Sequence, residues 1–263
     1  MTETTLRQES HGAVLLLTLD GPATRNSVSP PVYRQMQAAL IDAAGDDGVR
    51  AIVLTGANGF FSSGGNINAL KASAAKTPAE VVPNTDLLNA MIKAVRDCPK
   101  PVVAAMEGGA AGAGASLALA CDMIVAARDA ALVVAYVKVG LSPDGGVTHF
   151  LSRGLPRQLV AEMCLLGAPV GAERLHALGV VNHVTEPGAA LDGALALAAR
   201  LATGPAQSMA RIKALIEAAP ETTLATHLDR EAAGINRARF GAEAREGLAA
   251  FLEKRKPDFS GDG

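Results

Sequence analysis

Residues 109–122 read GAAGAGASLALACD, and the first eight, Gly109 to Ser116, carry side chains no larger than a hydroxymethyl group. The stretch leaves an apolar run, PVVAAME (101–107), and runs into a pattern of helical spacing. Such bareness serves the backbone itself, which can then turn sharply and come close to another segment or to a ligand. The stretch holds no acid, base or nucleophile of obvious strength, so the chemistry has to come from elsewhere in the chain.

Working outward, short apolar runs alternate with amphipathic ones. AVLLLTL (13–19), VRAIVLTG (49–56) and PVVAAME (101–107) read as strands, and MIVAARDAALVVAYV (123–137) as two extended pieces around a turn. PPVYRQMQAALIDAA (30–44), started by proline, and DLLNAMIKAVRDC (86–98) have apolar residues at helical spacing. Strands with few polar residues, separated by helices, predict a parallel sheet covered on both faces. KASAAKTPAEVVPN (71–84) reads as a surface loop or lid, and from about residue 153 the pattern is helical almost throughout. The division expected is an α/β core over 1–190 and a helical C-terminal region over 191–263.

The composition narrows the function classes. With 263 residues, 49% of them hydrophobic, the chain can bury a sizeable core. Its 24 basic and 26 acidic residues give a net charge of −2, which asks for no nucleic-acid partner. No run of eighteen apolar residues suggests a membrane span, and the polar start, MTETTLRQES, lacks the form of a secretion signal. Three widely spaced cysteines, Cys98, Cys121 and Cys164, suit reduced thiols in a cytoplasmic protein. His11, His149, His176, His183 and His227 show no metal-ligand spacing. The one basic cluster, EKRKP (253–257), reads by itself as a solvated helix end.

Two chemistries compete for the bare loop. Gly112-Ala113-Gly114 supplies the first glycines of a dinucleotide fingerprint, but position 117 is leucine and no Gly-Lys-Ser/Thr exists for a P-loop. The other reading is that the loop offers a backbone N–H to an anion at a helix start. A second bare loop, FFSSGGNIN (60–68), also leaves a strand. Two such loops on neighbouring strands would converge two N–H groups on one oxygen and stabilise an enolate or a tetrahedral oxyanion. Two tightly packed turns with no ligand would use the same glycines.

GFFSSGGNINAL (59–70) followed by AAMEGGAAGAGASLALACDMIVAARDA (104–130) resembles the crotonase superfamily, the enoyl-CoA hydratase/isomerase family. The likeness continues through VGLSPDGGVTHFLSRGLPRQL (139–159), GAERLHALGVVNHV (171–184) and FLEKRKPDF (251–259), and so spans nearly the whole chain. Within the family it looks most like bacterial members acting on ring-derived, oxepin-CoA-type intermediates. The resemblance implies an α/β fold of ββα superhelical turns with a helical C-terminal trimerisation region, assembled as a homotrimer or dimer of trimers. It implies an acyl-CoA thioester substrate and no separate cofactor, coenzyme A being part of the substrate. The thioester oxygen would accept N–H bonds from Gly65 and Ala113. Ser63, Gly65, Asn66, Ile67 and Asn68 would line the path of the coenzyme. Phe251 and Lys254 would reach it from the C-terminal helix, often that of a neighbouring subunit.

The family's hydratases hold a water between two glutamates, and those positions fall on Ser116 and Tyr136 here. Neither residue replaces a carboxylate near neutral pH. Asp144, in SPDGG, matches a catalytic aspartate of relatives that isomerise enoyl and dienoyl thioesters. A carboxylate beside an apolar acyl pocket would be a better base for desolvation, and one base with an oxyanion hole suffices for a 1,3-proton shift. Asp144 would otherwise cap a helix beginning near Val147. Tyr136 would wall the acyl pocket or donate a hydrogen bond to the acyl group. The expected activity is double-bond isomerisation. The alternatives are a hydratase with a non-standard water site, or a non-catalytic acyl-CoA-binding subunit.

Overall fold

The computed structural model describes residues 3–73 and 75–259. The chain begins with β1 (Thr5–His11) and β2 (Val14–Asp20), then α1 (Pro30–Gly45), β3 (Ala51–Gly56), α2 (Ile67–Ser73) and α3 (Pro78–Asp97). Next come β4 (Val102–Met106), β5 (Gly109–Ala111), α4 (Ala113–Ala120), β6 (Met123–Ala127) and β7 (Ala131–Val133). A 3-10 turn over Ala135–Val139 leads to α5 (Val147–Gly154), α6 (Arg157–Leu166), β8 (Pro169–Gly171), α7 (Ala172–Ala177) and β9 (His183–Thr185). Four helices follow: α8 (Ala190–Ala202), α9 (Ala206–Ala218), α10 (Leu224–Arg239) and α11 (Ala242–Glu253).

The main sheet has the order β1-β2-β3-β4-β6-β9 and is parallel except where β1 pairs with β2. Its apolar strands alternate between two buried faces, as a doubly covered sheet requires. Leu17, Leu19, Ile52, Leu54, Ala104 and Met106 pack with the buried residues of α1, α3 and α4. Leu16, Val53, Val103 and Val125 pack instead against Ala194 and Ala198 of α8. Helix α8, though it lies past residue 190, thus closes the second face of the sheet.

Each turn of chain also contributes to a smaller wall. Val28 pairs with Gly65, Ser62 with Ala110, and β5 with β7, all in parallel, and β8 closes this wall antiparallel to β7. The bare loops of two successive turns are therefore stacked as neighbours.

The polar N-terminus, for which the sequence carries no strand signal, forms β1, whose residues are mostly exposed. Two expectations needed correction. Of the stretch 71–84, Ala74 lies outside the described residues, and 71–73 and 78–84 are helical rather than loop. Helix α3 begins at Pro78 behind a reciprocal cap in which Thr77 and Glu80 bond each other's backbone and side chain, and it tolerates Pro83 inside. The stretch after residue 153 also contains two three-residue strands, β8 and β9.

Helices α9 and α10 bury no residue, and α11 buries only Ala250. Polar contacts fasten α9 to the core, and Glu243 of α11 accepts from Ser208 of α9. Lys213 Nζ donates to Asp122 Oδ2 (2.7 Å), Val95 O (3.1 Å) and Lys100 O (3.3 Å), and Glu217 pairs with Arg96. Their outer faces expose Ile212, Ile216, Leu228, Ile235 and Phe251. No described helix is long and apolar enough to cross a membrane.

Candidate active site

The two bare loops meet at backbone contact. Ala111 N donates to Ser62 O at 2.9 Å and Gly112 N to Val133 O at 3.0 Å. Gly64 has φ +88°, and a Cβ there would collide with the Ala111 carbonyl oxygen and stand 3.1 Å from Ala113 N. The parallel bridge of Val28 uses the Gly64 carbonyl (2.8 Å) and the Asn66 N–H (3.3 Å), which leaves the Gly65 N–H turned away from it. Ala113 is the first residue of α4, where a helical N–H has no intrahelical partner. Among the described residues, neither the Gly65 nor the Ala113 N–H has a protein acceptor. Two adjacent free donors, one at the positive end of α4, form a place for an oxygen that gains negative charge.

The loop carrying Gly65 is braced from a segment the sequence reading passed over. Asn26, left-handed at φ 57°, donates from Nδ2 to Ala57 O (2.8 Å) and Phe60 O (2.6 Å). Ser62, fully buried, donates to Asn26 O (2.8 Å) and accepts from Gly64 N (3.2 Å). The only sequence signal for Asn26 is a polar residue followed by buried positions, which periodicity does not detect.

Asp144 sits on the next turn of chain. Its carboxylate Oδ1 accepts from the Tyr136 hydroxyl at 2.7 Å, and its carbonyl accepts from Ser116 Oγ at 2.9 Å. The Tyr136 ring lies against the first bare loop, its Cζ 3.9 Å from where a Gly112 Cβ would be. Burial first, and then the negative charge of Asp144, raise the Tyr136 hydroxyl well above the ordinary tyrosine range. Tyr136 is therefore a standing donor to the carboxylate. Asp144 does not cap α5, whose N-cap is Gly146 and which takes no side-chain cap bond.

Ser116 leaves no room for a second carboxylate. It is fully buried, and a Cβ on the left-handed Gly145 would stand 2.9 Å from its own Cβ. The short side chain is what allows the SPDGG turn to approach α4. Neither position that would carry a hydratase glutamate carries one, and each hydroxyl is engaged with Asp144.

The remaining expected residues divide. Ser63 spends its hydroxyl on Thr24 O (2.7 Å), and Asn66 Oδ1 accepts from Ala69 N (3.1 Å), so both shape the loop. Ile67 and Asn68 are exposed at the start of α2 beside it. Leu70 reaches back over Gly65, its Cδ1 3.6 Å from the position of a Cβ there. Phe251 and Lys254 are exposed at the end of α11, and no hydrogen bond or ion pair joins them to Gly65, Ala113 or Asp144 within the chain. No cluster of three or more metal-ligating side chains occurs among the described residues. One residue not singled out from the sequence belongs here: Tyr33 of α1, almost wholly buried and within electrostatic reach of Asp144.

Residues 9–262 match the family described as enoyl-CoA hydratase/isomerase. The chain is 36% identical over 249 residues to 1,2-epoxyphenylacetyl-CoA isomerase of Escherichia coli, covering 94% of this chain and 95% of that protein. It is 35% identical over 261 residues to a probable enoyl-CoA hydratase of Rhodobacter capsulatus, covering 99% and 100%. A solved enoyl-CoA hydratase from Polaromonas sp. JS666 superimposes with a TM-score of 0.95 at 42% identity, over 96% of this chain and 98% of that one. Sequence, fold and paired backbone donors agree, and the chain belongs to the enoyl-CoA hydratase/isomerase family of acyl-CoA enzymes.

Proposed function

We propose that this enzyme shifts a double bond in an unsaturated or ring-derived acyl-CoA, with Asp144 as the single base. The thioester oxygen lies between the N–H groups of Gly65 and Ala113. Asp144 takes a proton from the carbon next to the thioester, or from the γ carbon. The electron pair of that C–H bond moves into the conjugated system, and the negative charge comes to rest on the oxygen held by the two donors. The same proton returns to the other end of the dienolate, so the product is an isomer and no cofactor is consumed. Coenzyme A enters as part of the substrate.

One observation carries this reading. The Cζ of Tyr136 lies 3.9 Å from where a Gly112 Cβ would stand, and the hydroxyl on that carbon donates to Asp144 Oδ1 at 2.7 Å, so the carboxylate is held close to the bare turn. This supports a carboxylate within reach of a substrate α or γ carbon, and neither Ser116 nor Tyr136 supplies a second acid to hold a water. The name of the Escherichia coli relative, an isomerase, is in keeping with it.

The exposed apolar faces of α9 to α11 support assembly as a homotrimer, single or doubled, in which Phe251 and Lys254 of one copy complete the coenzyme site of another. We place the enzyme in the cytoplasm, where its three free cysteines stay reduced.

The test is turnover in deuterated water, read by mass spectrometry, on crotonyl-CoA, a 3-enoyl-CoA and a 2,5-dienoyl-CoA. Deuterium entering an unchanged carbon skeleton, and lost in Asp144→Asn, is the expected result. Hydration of crotonyl-CoA that survives Asp144→Asn would overturn the choice of base and point to a hydratase. Tight thioester binding with no exchange on any of the three would point to a non-catalytic binding subunit.

A further inference from the structure

The chain contains two tyrosines, and both lie near the same carboxylate. Tyr136 spends its hydroxyl on Asp144. Tyr33 spends its hydroxyl on nothing: its backbone N–H donates to Ser29 O at 3.0 Å, but no side-chain bond joins it to any described residue. The residue as a whole is only 7% exposed, yet its hydroxyl is not sealed off: it keeps a small accessible surface. Water can serve it in the free protein, and an acyl group that displaces that water must replace the bond or leave the hydroxyl unpaired.

The fold fixes where this residue lies. Tyr33 is on the first turn of α1, which starts two residues after Val28, and Val28 is bonded to both Gly64 and Asn66 around the oxyanion donor Gly65. On the other side α1 packs on α3, whose Leu88 reaches to 3.5 Å from the Cβ position of Gly145, next to Asp144. Tyr33 thus sits on the first turn of a helix that starts beside the loop expected to hold the thioester, and its hydroxyl lies within electrostatic reach of the Asp144 carboxylate. An acyl group extending from that loop toward Asp144 would come near it.

We propose that Tyr33 is a specificity-determining residue whose hydroxyl donates a hydrogen bond to an oxygen carried by the acyl group beyond its α-carbon, so that the site favours oxygen-bearing acyl-CoA thioesters over plain hydrocarbon ones. The inference rests on the acyl-CoA reading above and adds to it the kind of acyl group taken. A polar group that a ligand covers and leaves unpaired discriminates against that ligand much more strongly than an apolar wall discriminates by size.

The test is calorimetric binding of hexanoyl-, 4-oxohexanoyl- and 5-oxohexanoyl-CoA to the protein and to Tyr33→Phe. These thioesters are saturated, so binding is read whether or not Asp144 acts as a base, and failure of the isomerase reading leaves this one testable. A keto oxygen only accepts, which fixes the direction of the bond. The unmutated protein is expected to bind at least one oxo thioester roughly tenfold more tightly than hexanoyl-CoA, the range of one hydrogen bond to a buried donor. Tyr33→Phe is expected to bind all three within about twofold of one another, since only that bond is removed. Equal affinities in the unmutated protein would overturn the proposal without any variant. So would a preference that survives in Tyr33→Phe, or an equal loss of affinity for all three, which would assign Tyr33 to packing alone.

Discussion

The Tyr136 hydroxyl donates a 2.7 Å hydrogen bond to Oδ1 of Asp144, so under the proposed mechanism Oδ2 is the oxygen that would move the proton. A bond to a charged acceptor in a half-buried site fixes the carboxylate plane as well as stabilising it. Tyr136→Phe removes that bond and leaves the ring against Gly112. Turnover is expected to fall roughly 10- to 100-fold, in line with the strength of hydrogen bonds to charged groups, while KM changes little. Steady-state kinetics check the split. A rise in KM with unchanged kcat would make Tyr136 a wall of the acyl pocket and nothing more.

The close approach of the two bare loops can be separated from the strain of a left-handed glycine. Gly64 has φ +88° and no room for a Cβ beside Ala111 and Ala113, whereas Gly59 has φ +71° and nothing within 4 Å. Each alanine substitution costs about 1–3 kcal/mol of stability for the backbone conformation. Gly64→Ala must in addition push the donor loops apart, so its turnover is expected to drop by about 10²- to 10³-fold, as when an oxyanion donor is lost. Gly59→Ala should lower the melting temperature and keep turnover. Equal activities in the two variants would show that the loops are packed turns without a catalytic part.

Both tyrosines are held protonated by the fold. Burial, and behind it the charge of Asp144, pushes Tyr33 up to about 12, and Tyr136 is raised further by the same two causes. In the unfolded chain each titrates near about 10. From about pH 10 upward the unfolded chain therefore releases protons that the folded chain keeps, and stability declines as the pH rises. Below that pH these two groups contribute no slope. Ultraviolet titration of the native protein should show no tyrosinate until the pH approaches about 12 or the protein unfolds, against about 10 in denaturant. Tyrosinate appearing near pH 10 without unfolding would mean that one of the rings is open to solvent.

Much of this arrangement is legible in the chain, and the gaps have physical causes. Strands β2, β3, β4 and β6 are readable because their residues are apolar on both faces. Strand β1, with its sequence TLRQESH, is an edge wetted on both sides and shows no apolar periodicity. Strands β8 and β9 are three residues long, too short for a period to register. Residues 78–84 of the expected lid are helical because Thr77 and Glu80 cap α3 and Pro78 suits its first position, which together outweigh Pro83 inside it. The glycines mark the donor loops, but the Tyr136–Asp144 bond and the place of Tyr33 depend on how successive turns stack. No local pattern encodes that.

Lys254 and Phe251 raise the one question that a single copy leaves to assembly, because they are exposed on α11 and bonded to nothing at the site. If a neighbouring copy supplies them, Asp144 and Lys254 of one chain work in different active sites. Lys254→Ala is then expected to raise KM for acyl-CoA thioesters and leave KM for the corresponding N-acetylcysteamine thioesters, which lack the nucleotide phosphates, unchanged. A stronger check mixes Asp144→Asn with Lys254→Ala chains through reversible denaturation. Each chain alone is impaired, the first in turnover and the second in affinity. A mixed assembly contains sites that take Asp144 from one partner and Lys254 from the other, so activity at low substrate should exceed that of either parent mixed only with itself. If the mixed sample gives no more than the average of its parents, Lys254 serves its own chain and α11 must fold back over the loop at Gly65 when the coenzyme binds.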